Sequence, residues 1–273
     1  AAIPVVTALS DIGLILPISK AAKFLDELKS GQAKWNGQLD LTIEKKLEAI
    51  KEKAALGQWK EAMEFADNQL KYSLEPSLVI AAGVMHFCNN DHQGAKQLLS
   101  QGISVEKDNN FSKLLYYIID WEKGAGNTNI YRDQLLEFNW ISEVEFYGYL
   151  VKIIEGKIKE NIAKQGWSKP SEKSWIYYTL GLIQYKKKNL KKAEEYFKTA
   201  VLVGNNQYWV FYLAKAKLFL VQKNLFSKLK NKSLKQKYEK TINAFNRKVD
   251  EIIKTHTKTQ ESITPFTTRL MTY

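Results

Sequence analysis

The sequence predicts an all-α fold: a right-handed α-solenoid of stacked helix-turn-helix repeats with helical caps. Three observations lead there. An apolar or small residue followed by a helix-contact position recurs at Ala49-Ile50, Ala82-Gly83, Leu115-Tyr116, Tyr147-Gly148, Leu180-Gly181 and Ala214-Lys215, in steps of 33, 33, 32, 33 and 34 residues. Turn signals fall with the same period. Near the C-terminus, Leu234, Tyr238, Ile242, Phe245, Val249 and Ile252 recur at steps of 4, 4, 3, 4 and 3, which draws one apolar stripe along a helix. With 273 residues and 45% hydrophobic composition the chain can bury a sizeable core.

Residues 1–41 are expected to form a helical lead and cap, with a helix over Ile18–Lys29 after the apolar stretch AAIPVVTALSDIGLILPISK. That stretch is a poor membrane span, because Pro4, Asp11, Gly13 and Pro17 interrupt it. No transmembrane span is expected elsewhere. The chain opens on Ala1 and has a single cysteine, Cys88, so a cytoplasmic and an exported protein are equally compatible with it. Residues 42–230 hold about six helical pairs. Asn90-Asp91, KGAGN at 123–127 and KKN at 187–189 separate the helices of a pair, while Glu75-Pro76, Lys169-Pro170 and Gly204-Asn205 separate one pair from the next. Glycine or alanine at the recurring position lets two helices approach closely. One pair alone cannot cover its apolar face, so pairs must stack. Residues 231–255 read as a long amphipathic helix over the last pair, and 256–273, rich in threonine, as a loose tail.

The clearest unit carries Tyr177, Leu180, Gly181, Ala193, Phe197 and Ala200, and the one before position 110 carries Val79, Ala82, Gly83, Ala95, Leu99 and Gly102. An earlier one reads LGQWKEAMEFADNQL, with Gly57 and Ala62. This pattern resembles the tetratricopeptide repeat family over roughly residues 42–230. The units near 109–140 and 141–173 are degenerate, because their second helices lack the Ala-x3-Phe signature. Gln184 stands where the family has tyrosine, with Tyr185 one place later, and Asn205 stands near the family's final proline.

The resemblance implies a non-enzymatic scaffold or adaptor that binds a peptide or partner segment in a concave groove lined by first helices. Its register places Lys113, Tyr117, Tyr149, Lys152, Trp175, Tyr178, Tyr185, Trp209 and Tyr212 in that groove. Tyrosine and tryptophan would suit a peptide, offering large contact area at low rotamer entropy. The Lys-x3-Asn and Lys-x3-Arg pair with which some family members clamp C-terminal carboxylates is missing in register.

The second reading is an anion-binding module that takes nucleic acid, anionic lipid or polysaccharide on its Lys-rich C-terminal half. The net charge of +12 is uneven: residues 1–156 hold 16 Lys and Arg against 21 Asp and Glu, whereas 157–273 hold 25 against 8. Lys186, Lys187, Lys188, Lys191, Lys192, Lys235 and Lys237 are its candidates. Their ordinary reading is solvated charge at a helix turn. Almost all are lysine, which attracts phosphate without the bidentate fork of arginine, so sequence-specific nucleic-acid reading is not expected. His86, Cys88 and His92 do not form a metal site, since positions 86 and 88 point about 200° apart on a helix. No Gly-rich phosphate loop, nucleophile–base pair or distinctive carboxylate pair appears, so neither an enzyme, a cofactor nor a small-molecule substrate is expected.

Overall fold

A computed structural model describes residues 2–5, 14–17, 43–126, 129–137 and 142–270; at both strands, 142–145 and 255–270 the description is of backbone alone. Residues 1–41 and 42–273 form two compact units. In the first, Ala2–Val5 (β1) and Leu14–Pro17 (β2) pair antiparallel, with Ala2 opposite Pro17 and Val5 opposite Leu14. The expected helical lead is therefore corrected over these residues. Isoleucine, valine and leucine beside Pro4 and Pro17 suit extended backbone, and proline disfavours a helix interior. The helix expected over Ile18–Lys29 lies outside the described residues.

From Ile43 onward every described element is a helix. The first helices are α1 (Ile43–Ala55), α3 (Pro76–Cys88), α5 (Asn110–Glu122), α7 (Ser142–Ile154), α9 (Pro170–Lys186) and α11 (Trp209–Lys228). Between and after them come α2 (Trp59–Leu70), α4 (His92–Val105), α6 (Arg132–Leu136), α8 (Glu160–Ala163), α10 (Leu190–Val203) and α12 (Lys232–Leu270). The period appears in the backbone. Two residues beyond the ends of α1, α3, α5, α7 and α9 stand Gly57, Asn90, Gly124, Gly156 and Lys188, all left-handed, with φ of 76°, 67°, 88°, 75° and 60°. This is the usual way to turn out of a helix, and glycine adopts it without strain. Asp91 and Asn109 cap the helices that follow them, accepting from the Gly94 and Ser112 amides at 3.0 and 2.9 Å.

The recurring glycines mark close approaches. A Cβ at Gly181 would stand 2.6 Å from the Phe197 ring, so α10 lies directly on α9. A Cβ at Gly148 would meet the carbonyl oxygen of Leu135. In the two degenerate units the second helices shrink to α6 and α8, of five and four residues. Glycines at 124, 126 and 166 and Pro170 punctuate these segments, and glycine and proline both disfavour helix continuation.

Each first helix from α5 on packs against the next, and α1 packs against α3. In addition α11 packs against α3 and α1, so the helices curl back on themselves. Side chains tie this closure. Lys51 Nζ donates to the Gln207 carbonyl at 2.8 Å, Lys215 Nζ donates to the Ala55 carbonyl at the end of α1, and Lys217 Nζ reaches both carboxylate oxygens of Glu122 at 2.7 and 2.9 Å.

The helix α12 packs along α10, burying Val249 and laying Phe245 under the Lys198 ammonium, 5.6 Å from the ring centre. The loose tail expected over 256–273 is corrected, because the helix continues to Leu270. Extending a formed helix needs one residue fixed per hydrogen bond, and the backbone stays helical through Pro265 near its end, where the missing N–H removes one of those bonds. Among the described residues no helix is long and apolar enough to cross a membrane.

Candidate functional site

The closure of α11 on α3 decides where the expected groove residues lie. Tyr117, Trp175, Tyr178 and Tyr212 are buried, as is Lys113. These five positions are corrected from groove to interior, because first helices that would face a groove in an open array here face one another. The Tyr178 ring sits 5.7 Å from Trp175 and 5.9 Å from Phe197. Burial pushes its phenol well above the usual tyrosine range, and does the same for Tyr117 and Tyr212. The Tyr212 hydroxyl donates to the Asn206 carbonyl at 2.6 Å. Tyr149, Lys152, Tyr185 and Trp209 keep access to solvent. They do not form one surface: Tyr149 stacks edge-on against Trp167, Trp209 carries Lys51 over its face at 5.0 Å, and only Tyr185 borders the cleft described next.

That cleft, of about 510 Å³, lies where the turn after α3, the end of α5, the end of α9 and the second half of α11 meet. Lys186, Lys188, Lys217 and Lys228 border it, against Glu122 as its carboxylate. The sequence-predicted anion candidates thus divide. Lys186 and Lys188 come to the cleft, while Lys187 and Lys191 are exposed away from it. Lys192 is committed to Glu160 at 2.9 Å, Lys235 lies over Phe226, and Lys237 is exposed on α12.

Within the cleft the charges are not equivalent. Lys217, 6% exposed, is neutralised by Glu122 and lies 4.6 Å above the Phe87 ring. Lys186 caps the end of α5 by donating to the Trp121 carbonyl, with the Trp121 ring 4.1 Å away, as a cation does at the negative end of a helix. The Lys188 and Lys228 ammonium groups are exposed, and among the described residues neither has an ion-pair partner. His92 adds a buried Nε2 with no hydrogen-bond partner among the described residues. Burial first, and then the nearby Lys217, press its imidazole below the ordinary range, so it is mainly neutral at pH 7.

Backbone strain gathers at the same place. Asn90 and Lys188, the two non-glycine residues with left-handed backbone among the described residues, both border the cleft. Asparagine tolerates that conformation; lysine does so at a cost of about 1 kcal/mol. Three of the five equivalent turns use glycine. Sequence reading missed Lys217, Asn90, His92 and Asn224 as companions of Lys186. Lysine at 188, where three of the equivalent turns have glycine and one has asparagine, was the available signal.

His86 and Cys88 have other surroundings. His86 is held between Asp91 at 2.7 Å and Asp67 at 3.0 Å, and burial pushes the Cys88 thiol up to about 12. No group of three His, Cys, Asp or Glu among the described residues is placed to hold a metal ion.

Lys192 serves structure. Burial works against the Glu160 charge, but hydrogen bonds from Tyr196, Lys192 and Lys164 outweigh it and bring this carboxyl down to about 2. Its folded pKa lies below its ordinary 4.5, so its stabilisation is complete above that value and is lost as pH falls through about 2. The site is a third exposed, and screening limits the contribution to about 1 kcal/mol. Glu160→Gln should lower stability by that amount at pH 7 and by progressively less between pH 4.5 and 2, measured by urea unfolding at each pH. An equal loss at every pH would mean that the charge is not what matters.

Compared with known protein families, with curated proteins and with solved structures, the chain matches none.

Proposed function

We propose that this protein is a non-enzymatic interaction module built of tetratricopeptide-like helical pairs, and that it holds an acidic segment of another protein in the cleft bordered by Lys186, Lys188 and Lys228. One observation carries the reading: a lysine kept in left-handed backbone, where glycine serves in equivalent turns, beside a second unpaired lysine and an unpartnered imidazole nitrogen. The periodic left-handed turns and the Gly181–Phe197 contact support the family likeness. A carboxylate-bearing peptide fits because the exposed Lys188 and Lys228 ammonium groups provide charge at the border of the cleft.

The test uses a fluorescent oligo-glutamate peptide and anisotropy. Lys188→Glu with Lys228→Glu should weaken binding at least about tenfold, and wild-type binding should weaken with salt. Both positions are exposed, so the melting temperature should hold. Lys188→Gly should raise stability by about 0.5–1 kcal/mol while weakening the peptide. Unchanged affinity in the double variant would remove the cleft from the account. Tight binding of an oligonucleotide with no response to the peptide would favour the polyanion reading instead.

A further inference from the structure

A second cleft, of about 740 Å³, opens between the turn after α1, the outer side of α11 and the helix α12. It is lined by Trp59, Leu218, Phe226, Ile242 and Phe245, together with Leu56 and Phe219, which are 75% and 57% exposed. Its size falls in the range of small-ligand sites; its lining is apolar in the larger part, with Lys215, Gln222, Lys223, Glu239, Asn246 and Asp250 as the polar members, of which Lys223 is exposed. Two large side chains left this exposed beside five others are an uncovered apolar surface.

Lys215 says what covers it. It stands in the wall of this cleft, on the opposite side of α11 from the glutamate that neutralises Lys217. Its Nζ gives one of three donors to the Ala55 carbonyl, and among the described residues no carboxylate lies within ion-pairing distance. Burial presses its ammonium below the ordinary range, with Asp250 opposing as the more distant countercharge. A half-desolvated cation with spare donors beside an apolar trough is complementary to one anionic head on an apolar tail. Glu239 and Asp250 are exposed on the α12 wall, so a second negative charge on the ligand would be repelled. We infer that this cleft binds a free long-chain fatty acid, its carboxylate on Lys215 and its chain along Phe219, Phe226 and Phe245. The site is separate from the lysine cleft and stands or falls independently of it.

Calorimetric titration of the intact chain with palmitate tests this, with hexadecanol as the uncharged chain of equal length. Palmitate should bind one to one, and hexadecanol about tenfold more weakly. Lys215→Met, which keeps the apolar stem, should bring palmitate to the hexadecanol level. Phe219→Glu, at an exposed position where folding is not at risk, should abolish both. The inference is overturned if palmitate shows no saturable binding, if Phe219→Glu leaves it unchanged, or if Lys215→Met shifts both ligands equally. Concentration-dependent dimerisation that Phe219→Glu abolishes, with no palmitate binding, would overturn it in favour of a second copy of this chain.

Discussion

Glu122→Ala should cost about 3–5 kcal/mol in urea unfolding, because it leaves the Lys217 ammonium buried without its partner. The pair joins α5 to α11 across 95 residues of sequence, with the ammonium 6% exposed and backed by the Phe87 ring. Lys217→Met alone should cost less, since an exposed edge of Glu122 can recover water. Replacing both by methionine should bring stability back to within about 1 kcal/mol of wild type, because well-packed apolar groups often replace a buried pair without loss. The cycle therefore tests the curl itself. If Glu122→Ala costs under about 1 kcal/mol and the double variant adds nothing, the two groups do not meet in solution and the first helices do not close on one another.

The Gly181–Phe197 contact should be nearly as sensitive. Phe197 is fully buried, and Phe197→Ala should cost about 3–5 kcal/mol. Gly181→Ala adds a methyl group 2.6 Å from that ring, which must move against Tyr178. Overpacking of this kind costs about 1–3 kcal/mol, against a gain of about 1 kcal/mol from alanine's better helix propensity, so a net loss is expected. The two changes should be coupled. Gly181→Ala made in a Phe197→Leu background should cost less than in wild type, because the smaller side chain frees space for the methyl. Thermal melting of the four variants checks this; strict additivity would mean that the helices do not touch at this point.

These two contacts also show what the sequence discloses. Gly181, Gly83 and the residues opposite them, Phe197 and Leu99, are legible because a helical pair is a local object whose close approach recurs every 32 to 34 residues. The left-handed turn residues are legible for the same reason. The partnership of Lys217 with Glu122 is not, because it depends on how pairs add up over the whole array, and small changes of packing angle decide whether first helices face a ligand or one another. That is why Tyr117, Tyr178 and Tyr212, placed in a groove by register, lie in the interior. Lys186 and Lys188 were visible as charge, but their companions Lys217 and His92 come from helices far apart in sequence. At the N-terminus, the apolar run broken by prolines holds β1 and β2, a pairing that its residue types permit but that no strict alternation announces. The tail is helical to Leu270 although threonine and Pro265 both disfavour a helix, because they weaken one already formed without stopping it.

The central claim is that an acidic segment meets the lysine cleft at the edge of the helical array and not the tyrosines inside it. Carbodiimide cross-linking of an oligo-glutamate peptide to the intact chain, followed by peptide mapping, tests it most directly. Cross-links concentrated at Lys186, Lys188 and Lys228, with Lys113 and Lys152 unlabelled, are the predicted result. Cross-links at Lys113 and Lys152, or an even spread over exposed lysines such as Lys187 and Lys237, would contradict it.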